Sequence, residues 1–511
     1  MSTTANRIIK NAGWLYAKMG ITMFISLYTT RLILNTLGAS DFGIFNIVGG
    51  AIGMLGFLNA AMASATVRYM AFAEGSGDIE KKIYIFNNSF ILHFAIALLL
   101  SVLLFVAGMI LFDGVLNIPE NRLFAAKVVY ASLIVSTLLT VVNVPYEAVM
   151  NSHENMKYYS FVGILECLLK LAVAYICVFT SYDKLIIYGL LMSAIPLITL
   201  TIMKIYCHKR YNECVFSPRK YFNKKNIADL TSFAGWNLFA TAAAMITNSG
   251  VGIVMNMFFG TVINAAQGVA NQICGQLMAL TSVLSKAITP VITKSEGAMD
   301  RKRTIILAET SCKLMFFAMA MLAIPALSTL PTLMKLWLKD VPEFAVYFAS
   351  IQLLIHMCEQ LTSGFGTAIV ATGNIKGMSI SRAIFKLSYL PLSYILFKFN
   401  ISVTIVYFIL LILQGVINAI IITQYYGYKI LGYSPVEYLR NVFIPSALSS
   451  LLAFIAGISI SSFFNGISSL VIALVVCSVI NLITFYFITL SINERMIVNG
   501  ILQTVKNRLH I

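Results

Sequence analysis

The sequence has few charged residues and no long polar segment. Only 11% of its 511 residues are Asp, Glu, Lys or Arg, whereas 59% are hydrophobic. A chain of this length and composition cannot hide its apolar surface inside a water-soluble core, so lipid must be its main solvent. The composition therefore argues against a soluble enzyme and predicts an all-α polytopic membrane protein.

Paired cysteines and clustered metal ligands are missing as well. The eight cysteines fall mostly inside apolar runs, and His208 beside Cys207 is the one histidine at ligand spacing. We therefore expect no metal site and no disulfide. Because paired carboxylates, a nucleophile motif and a phosphate-cradling loop are also absent from the sequence, we expect no catalytic residue and no cofactor.

Acidic residues are scarce: 20 Asp and Glu stand against 36 Lys and Arg, which gives a net charge of +16. The cations lie in short loops between apolar runs rather than on one soluble face, so they are topology signals and predict no nucleic-acid partner. Alternate loops differ in charge. The basic set lies near 68–82, 157, 204–226 and 294–303, and the set poor in Lys and Arg lies at 38–41, 113–122, 181–184 and 260–262. The basic loops, with both termini, are expected in the cytoplasm.

Apolar runs of about 20 residues, enough to cross roughly 30 Å of hydrocarbon, recur along the chain. They predict about fourteen transmembrane helices, within a range of twelve to fourteen, at 11–37, 42–67, 83–112, 123–149, 157–180, 184–206, 229–259, 263–292, 305–338, 344–371, 376–398, 402–428, 441–464 and 467–490. The first run is too long for a signal peptide and no cleavage site follows it, so we expect it to be retained as the first helix.

The chain contains an internal repeat, because the two blocks of six predicted helices align without a gap at an offset of 222 residues. Matching positions include 12–14 with 234–236, Gly38 with Gly260, Glu74 with Glu296, and Asp78 with Asp300. Because six is an even number of spans, the second block enters the membrane from the same side as the first and has the same orientation. The repeats thus predict two parallel lobes around a central cavity, an arrangement suited to alternating access. We expect an N-terminal lobe at 1–206, a cytoplasmic linker at 207–228, a C-terminal lobe at 229–430, and an extra helix pair with a cytoplasmic tail at 431–511.

Several segments of both repeats carry a family resemblance. They are TTRLILNTLGASDFGIFNIVGG (29–50), VPYEAVMNSHENMKYYSFVGILECLLKL (144–171), GWNLFATAAAMITNSGVGIVMNMFFGTVINAAQGVANQI (235–273), AITPVITKSEGAMDRKR (287–303) and GTAIVATGNIKG (366–377). Through them, most of the chain resembles the oligosaccharide-flippase branch of the multidrug/oligosaccharidyl-lipid/polysaccharide exporter superfamily. The most specific stretch is FFG-x-x-x-NAA-x-G-x-A.

This resemblance implies a function and a set of partners. The expected substrate is a polyprenyl-diphosphate-linked oligosaccharide repeat unit, a precursor of O-antigen, capsule or a related polysaccharide. It would be moved across the bacterial cytoplasmic (inner) membrane from the cytoplasmic leaflet. Expected partners are this lipid-linked oligosaccharide and membrane lipids, and candidate partners are a coupling ion, H⁺ or Na⁺, and the polysaccharide polymerase machinery.

Ionisable groups inside the apolar runs are the candidate site residues, since each costs about 3 kcal/mol to insert and needs a partner or a wet cavity. Arg382 and Lys386 lie one helical turn apart and repel each other, so they need an anion. Glu166 and Lys170, spaced i and i+4, can neutralise each other. Candidate substrate-binding cations are Lys18, Arg31, Lys170, Lys286, Arg382 and Lys386, and candidates for ion coupling are Glu166 and Glu359.

Two other functions compete with the flippase. A multidrug or cation antiporter of the same superfamily would share the fold, but such a protein needs buried acids, whereas the basic candidates here outnumber the acidic ones. A membrane polysaccharide polymerase or glycosyltransferase would also handle polyprenyl-linked sugars. That class usually needs a long external loop or a soluble domain, and neither is evident in the sequence.

Overall fold

The computed structural model describes residues 2–53, 56–115, 118–259, 261–338, 341–496 and 498–499. Within these ranges the chain is almost entirely helical and contains no strand. The helices are α1 (Ser2–Gly53), α2 (Gly56–Ser76), α3 (Ile79–Ile110), α4 (Leu123–Ser152), α5 (Met156–Phe179), α6 (Lys184–Arg210), α7 (Lys224–Phe259), α8 (Thr261–Gly297), α9 (Arg301–Trp337), α10 (Ala345–Thr372), α11 (Lys376–Lys398), α12 (Val403–Leu431), α13 (Pro435–Phe463) and α14 (Gly466–Thr489).

Ten helices of the described ranges are long and apolar enough to cross a membrane. They are α3 to α9 and α12 to α14. The predicted class, an all-α polytopic membrane protein, is confirmed, whereas the total of fourteen spans stays a prediction. Helices α10 and α11 are not among the ten, and both carry polar side chains that line a cavity described below.

Helix ends agree with the predicted ones near the loops poor in Lys and Arg and extend beyond them near the basic loops. Near the loops poor in charge, α4 begins at Leu123 and α7 ends at Phe259, as predicted. Near the basic loops, α6 ends at Arg210 instead of 206, and α8 ends at Gly297 instead of 292. The prediction followed apolar runs, but a helix needs no apolar residues once it leaves the lipid.

Helix α1 is broken at Gly38, where the sequence predicts a loop. Gly38 has φ 78° and ψ 166°, a backbone conformation that glycine adopts without the steric penalty of a Cβ atom. Its repeat partner, Gly260, lies outside the described residues. The same holds for 54–55, inside the predicted second helix, and for residues 500–511 of the predicted tail.

The chain divides into two compact units. The N-terminal unit comprises 10–238, and the C-terminal unit comprises 1–9 with 239–511. One core of the N-terminal unit includes the buried Met70, Phe86 and Tyr146. A core of the C-terminal unit is formed around Phe348 and Tyr407, whose rings stack with centroids 3.8 Å apart.

Three of the loops poor in Lys and Arg meet at one end of the N-terminal unit. The Arg122 guanidinium donates from Nε to Asp41 at 2.8 Å and from Nη1 to Asp183 at 2.6 Å. Asp183 also caps α6 by accepting from two backbone amides. We call Arg122, Asp41 and Asp183 the Arg122 cluster. It confirms that these loops share one end of the unit.

The internal repeat is visible in matching helix caps. The Asp78 carboxylate accepts from the backbone amide of Lys81 at 2.9 Å, and the Asp300 carboxylate accepts from that of Arg303 at 3.1 Å. Each acid thus satisfies a free amide at the start of a helix, α3 in one unit and α9 in the other. The repeat read from the sequence is therefore a repeat of structure.

The extra helices α13 and α14 pack against α9 in the C-terminal unit. Phe317 of α9 stacks on Phe485 of α14 with ring centroids 4.1 Å apart. The buried Lys313 ammonium lies 2.8 Å from Glu494, which follows α14. This ion pair holds the segment that follows α14 against α9.

Candidate functional site

A cavity of about 340 Å³ lies within the C-terminal unit and collects the polar side chains of α8, α10, α11 and α12. Predicted site residues Arg382, Lys386 and Glu359 all line it. The other lining residues are Thr289, Thr362, Ser363, Gly366, Thr367, Val370, Gln414, Asn418 and Ala419. Three of the eight candidates from the sequence are thus brought together at one place.

Arg382 is held from one side only. Its Nη2 donates to the Thr423 hydroxyl of α12 at 2.6 Å. Its Nε is buried and has no hydrogen-bond partner among the described residues. A guanidinium carries five donors in a planar fork, so this side chain keeps unused capacity for an anion.

A π-helical stretch of α12, Leu411–Ile421, supports the two cations. It presents two amide side chains to α11: Gln414 donates to the Phe385 carbonyl at 3.3 Å, and Asn418 donates to the Arg382 carbonyl at 3.4 Å. Asn418 also donates to Gln414 at 3.1 Å. Such local π-helices are frequent at functional sites. Sequence reasoning missed both amides, although polar residues at i and i+4 in an apolar run are a usable signal.

Glu359 is the single acid among the described residues that line the cavity. Its carboxylate lies 2.9 Å from Nδ1 of His356, one turn earlier on α10. It interacts electrostatically with both cations. In the described part of the chain, however, neither Arg382 nor Lys386 forms a salt bridge. Two cations and one carboxylate leave a formal charge of +1 in the cavity.

The cavity charges are specific to the second repeat. The positions 222 residues before Glu359, Arg382 and Lys386 are Thr137, Ser160 and Ile164. Because the first unit has neutral residues at these three positions, the shared helical frame does not require charges there. This favours a functional role over a structural one.

The remaining predicted cations lie elsewhere. Lys18 lies over the Tyr159 ring at 4.3 Å. Lys170 and Glu166 form the predicted pair at 2.6 Å. Lys286 is exposed on α8 and does not line the cavity. Arg31 belongs to α1, but its side chain lies outside the described part of the structure.

Sequence reasoning also missed a titratable group at the basic-loop end of the N-terminal unit. The His153 ring bridges two carboxylates, with Nδ1 3.2 Å from Glu74 and Nε2 2.5 Å from Glu213. Lys82 adds a second salt bridge to Glu74 at 2.7 Å. We call these four residues the His153 cluster. They are far apart in the sequence, so no local spacing could reveal them.

The ligand atoms of Glu74, His153 and Glu213 lie within 4.8 Å of one another, close enough to hold a metal ion. A protonated imidazole already fits this space, because each ring nitrogen faces a different carboxylate. A bound metal would use only one ring nitrogen and would compete with Lys82 for Glu74. The geometry thus favours an imidazolium bridge.

Proton equilibria of the His153 cluster follow from its contacts. Hydrogen bonding from His153 lowers the pKa of Glu74 to about 2, with burial opposing and Lys82 assisting. Burial alone would lower the pKa of His153, but hydrogen bonds to Glu213 and Glu74 outweigh it and raise that pKa above 6.5. Both shifts stabilise the charged forms in the folded protein.

Comparison with known proteins agrees with this fold. The family model described as "Polysaccharide biosynthesis protein" matches residues 8–296, which is more than half of the chain. The chain belongs to the polysaccharide biosynthesis protein family.

One curated relative is the "Uncharacterized membrane protein EpsK" of Bacillus subtilis (strain 168), 30% identical over 106 residues. That match spans 20% of this chain and 20% of the relative, so it covers about a fifth of the relative's length. It supports membership of the family and carries no activity over to this chain.

Solved structures of similar fold include two transporters. One is the outward-facing conformation of a multidrug resistance MATE family transporter of the MOP superfamily, with a TM-score of 0.68, 14% identity and coverage of 83% of this chain and 96% of that one. Another is a MOP superfamily transporter from Pyrococcus furiosus, described by the reverse polarity of its binding pocket, with a TM-score of 0.66, 14% identity and coverage of 84% and 97%. At this identity the likeness shows the fold alone.

Proposed function

We propose that this protein moves a polyprenyl-diphosphate-linked oligosaccharide repeat unit across the bacterial inner membrane by alternating access, as a flippase of O-antigen, capsule or related polysaccharide precursors. In this proposal Arg382 and Lys386 bind the anionic diphosphate. The observation that carries it is the pair of cavity cations without a salt bridge in the described part of the chain, at positions where the first repeat has neutral residues.

The cavity suits the head of such a lipid in charge and size. Its formal charge of +1 offsets the cost of bringing a diphosphate into the membrane, where charges are weakly screened. Arg382 offers a bidentate fork and Lys386 a point charge. At about 340 Å³ it lies near the lower end of small-molecule sites, about 300–1,000 Å³. It is therefore sized for the diphosphate and its first sugar, not for the whole glycan.

The drug or cation antiporter is the weaker alternative. A cationic substrate would meet two cations and only one carboxylate, Glu359, in this cavity. Glu359 with His356 fits better as the candidate site for a coupling ion, H⁺ or Na⁺. Replacing Glu359 by Gln would then abolish dependence of transport on the ion gradient while leaving binding of the lipid intact.

The cationic site is tested by Arg382→Gln and Lys386→Gln, with Lys398→Gln as a matched control. Lys398 is an exposed cation in the last turn of the same helix, outside the cavity. We expect both cavity variants to reach normal membrane abundance but to lose surface polysaccharide, and the control to keep it. Unchanged polysaccharide in both cavity variants would refute the proposal. Reduced abundance would indicate a structural role instead.

The mode of phosphate binding is tested by Arg382→Lys. If a point charge suffices, this variant keeps partial transport. If two parallel hydrogen bonds to the phosphate are required, it loses transport as fully as Arg382→Gln does, because Lys cannot form the planar fork.

Orientation in the membrane is part of the proposal: the basic loops and both termini face the cytoplasm. A phosphatase that is active only in the periplasm should be inactive when fused near Arg219 and active when fused near Asp113. The opposite pattern would reverse the proposed direction of transport.

A further inference from the structure

An open groove of about 370 Å³ lies in the N-terminal unit, where the start of α5 meets the end of α6. It shares no lining residue with the cavity of the C-terminal unit. Two tyrosines, two isoleucines and two cations line it: Tyr158, Tyr206, Ile202, Ile205, Lys209 and Arg210. This mixture differs from the polar lining of the cavity and indicates a different ligand.

The aromatic wall of the groove is rigid. The rings of Tyr158 and Tyr206 stack with centroids 3.6 Å apart and planes inclined by 14°. Asn155 donates to the Tyr206 hydroxyl at 2.8 Å, and its side-chain oxygen accepts from the Tyr158 backbone amide at 3.3 Å, which caps α5. The wall is therefore formed before any ligand arrives, which lowers the entropy cost of binding.

Hydrogen-bond donors without protein partners gather at one end of the groove. Lys209 and Arg210 are exposed in the last turn of α6, and within the described ranges neither forms a salt bridge. The Tyr158 hydroxyl donates to no described residue. Among the described residues that line the groove there is no acid. An anion is the complementary ligand.

An apolar stripe continues from these donors along α6. Ile198, Ile202, Ile205 and Lys209 are spaced i, i+4, i+7 and i+11, which places them on one helix face. Ile198 is 40% exposed and Ile205 is 52% exposed. Along the groove the cations come first, then the tyrosines, then the exposed aliphatic side chains. This order matches the layers of a membrane interface, from the charged head groups to the hydrocarbon.

We propose that this groove binds one anionic phospholipid. The phosphate contacts Lys209, Arg210 and Tyr158, and one acyl chain lies along Ile205 and Ile202. An exposed cation pair alone would attract anionic lipid diffusely, whereas the fixed tyrosine wall and the aligned stripe define a single site. The residues of this site belong to the N-terminal unit, whereas those that line the cavity belong to the C-terminal unit.

The test uses the full-length protein, purified in detergent and titrated with phosphatidylglycerol or phosphatidylcholine while native mass spectrometry counts retained lipids. Wild type should retain one phosphatidylglycerol in preference to phosphatidylcholine. Each cation near an anionic surface contributes about 1 kcal/mol, so Lys209→Gln with Arg210→Gln should weaken retention about 10- to 30-fold. The control Lys224→Gln with Lys225→Gln removes another exposed pair, outside the groove, and should bind as wild type does.

A charge-retaining variant, Lys209→Arg with Arg210→Lys, should keep phosphatidylglycerol and so distinguish loss of charge from loss of folding. Equal retention by wild type and the Gln variant, or equal retention of phosphatidylcholine and phosphatidylglycerol, would overturn the proposal. So would a dimer that disappears in the Gln variant, which would mark the groove as a contact between copies. Loss of bound polyprenyl diphosphate with phosphatidylglycerol retained would assign the groove to the transported lipid and also overturn it.

Discussion

The two repeats share a helical frame but hold their charges in different places. In the N-terminal unit the Arg122 cluster lies at one end of the helices and the His153 cluster at the other, while the Glu166–Lys170 pair within α5 neutralises itself. In the C-terminal unit two cations lie inside the bundle, on α11. Matching caps at Asp78 and Asp300 show that the frame is common to both. The apolar pattern and the helix caps thus specify the helices, and the positions of charged residues can differ between the two repeats without changing them.

The largest effect should come from making the second repeat resemble the first. Arg382→Ser with Lys386→Ile introduces the residues found 222 positions earlier. Each charged contact to phosphate contributes about 1.5–3 kcal/mol, so transport should fall by about 100-fold or more. Membrane abundance should hold or rise, because burying a charge costs about 3 kcal/mol. The measurements are the amounts of lipid-linked precursor and of surface polysaccharide. A normal amount of surface polysaccharide would show that the two cations of the second repeat are not needed for transport.

The next effect concerns the N-terminal unit and its His153 cluster. His153→Gln leaves Glu213, which is 2% exposed, without its cationic partner. Breaking a buried ion pair costs about 3 kcal/mol, so the thermal midpoint in detergent should fall clearly. His208→Gln serves as the control, since its exposed ring contacts the Tyr146 hydroxyl, the Phe86 ring and the Cys214 backbone rather than bridging two carboxylates. Equal midpoints for both variants would show that the bridge does not stabilise the unit.

The same cluster predicts a pH dependence. Because folding raises the pKa of His153, its contribution is complete below pH 6.5 and is lost as pH rises through the raised value. Because folding lowers the pKa of Glu74 to about 2, that contribution is present above pH 4.5 and is lost only as pH falls towards 2. The thermal midpoint of wild type should therefore decline on the alkaline side, and that of His153→Gln should decline less. Parallel curves for the two proteins would contradict this assignment.

The smallest effect is expected at the repeat-related site of the C-terminal unit. There Glu296, the partner of Glu74, pairs with Arg301 at 2.6 Å, and the Arg301 side chain is 40% exposed. Because the Arg301 side chain is partly screened by solvent, Arg301→Gln should shift the thermal midpoint less than His153→Gln does, although it removes a donor from the buried Glu296 carboxylate and from the Ile430 carbonyl. A loss as large as that of His153→Gln would show that both units depend equally on this end.

Much of the fold could be predicted because lipid imposes a strict rule on sequence. The helix ends at the loop 181–184 and the start of α4 at Leu123 were predicted closely, since the boundary between apolar and polar residues coincides there with the helix boundary. At the basic loops, polar turns continue the helix outside the lipid, and the apolar pattern ends too early. The grouping of loops by charge also predicted that Asp41, Arg122 and Asp183 lie at one end.

The site was predicted only in part. Arg382, Lys386 and Glu359 were identifiable because an ionisable residue in an apolar run is costly. Thr423 was not, since a single neutral polar residue is tolerated in such a run without a functional reason. Lys286 is also an ionisable residue in an apolar run, yet it lies exposed outside the cavity.

The sequence by itself determined the solvent, the helices, the repeat and the separation of the loops into two sets, because each depends on composition or on spacing along one helix. Only the tertiary structure decided which charges meet. His153 bridges residues 79 positions before it and 60 after it, and Arg382 meets a threonine 41 positions away. Contacts between helices depend on how each helix is rotated and packed, and that is a property of the whole bundle rather than of any local pattern.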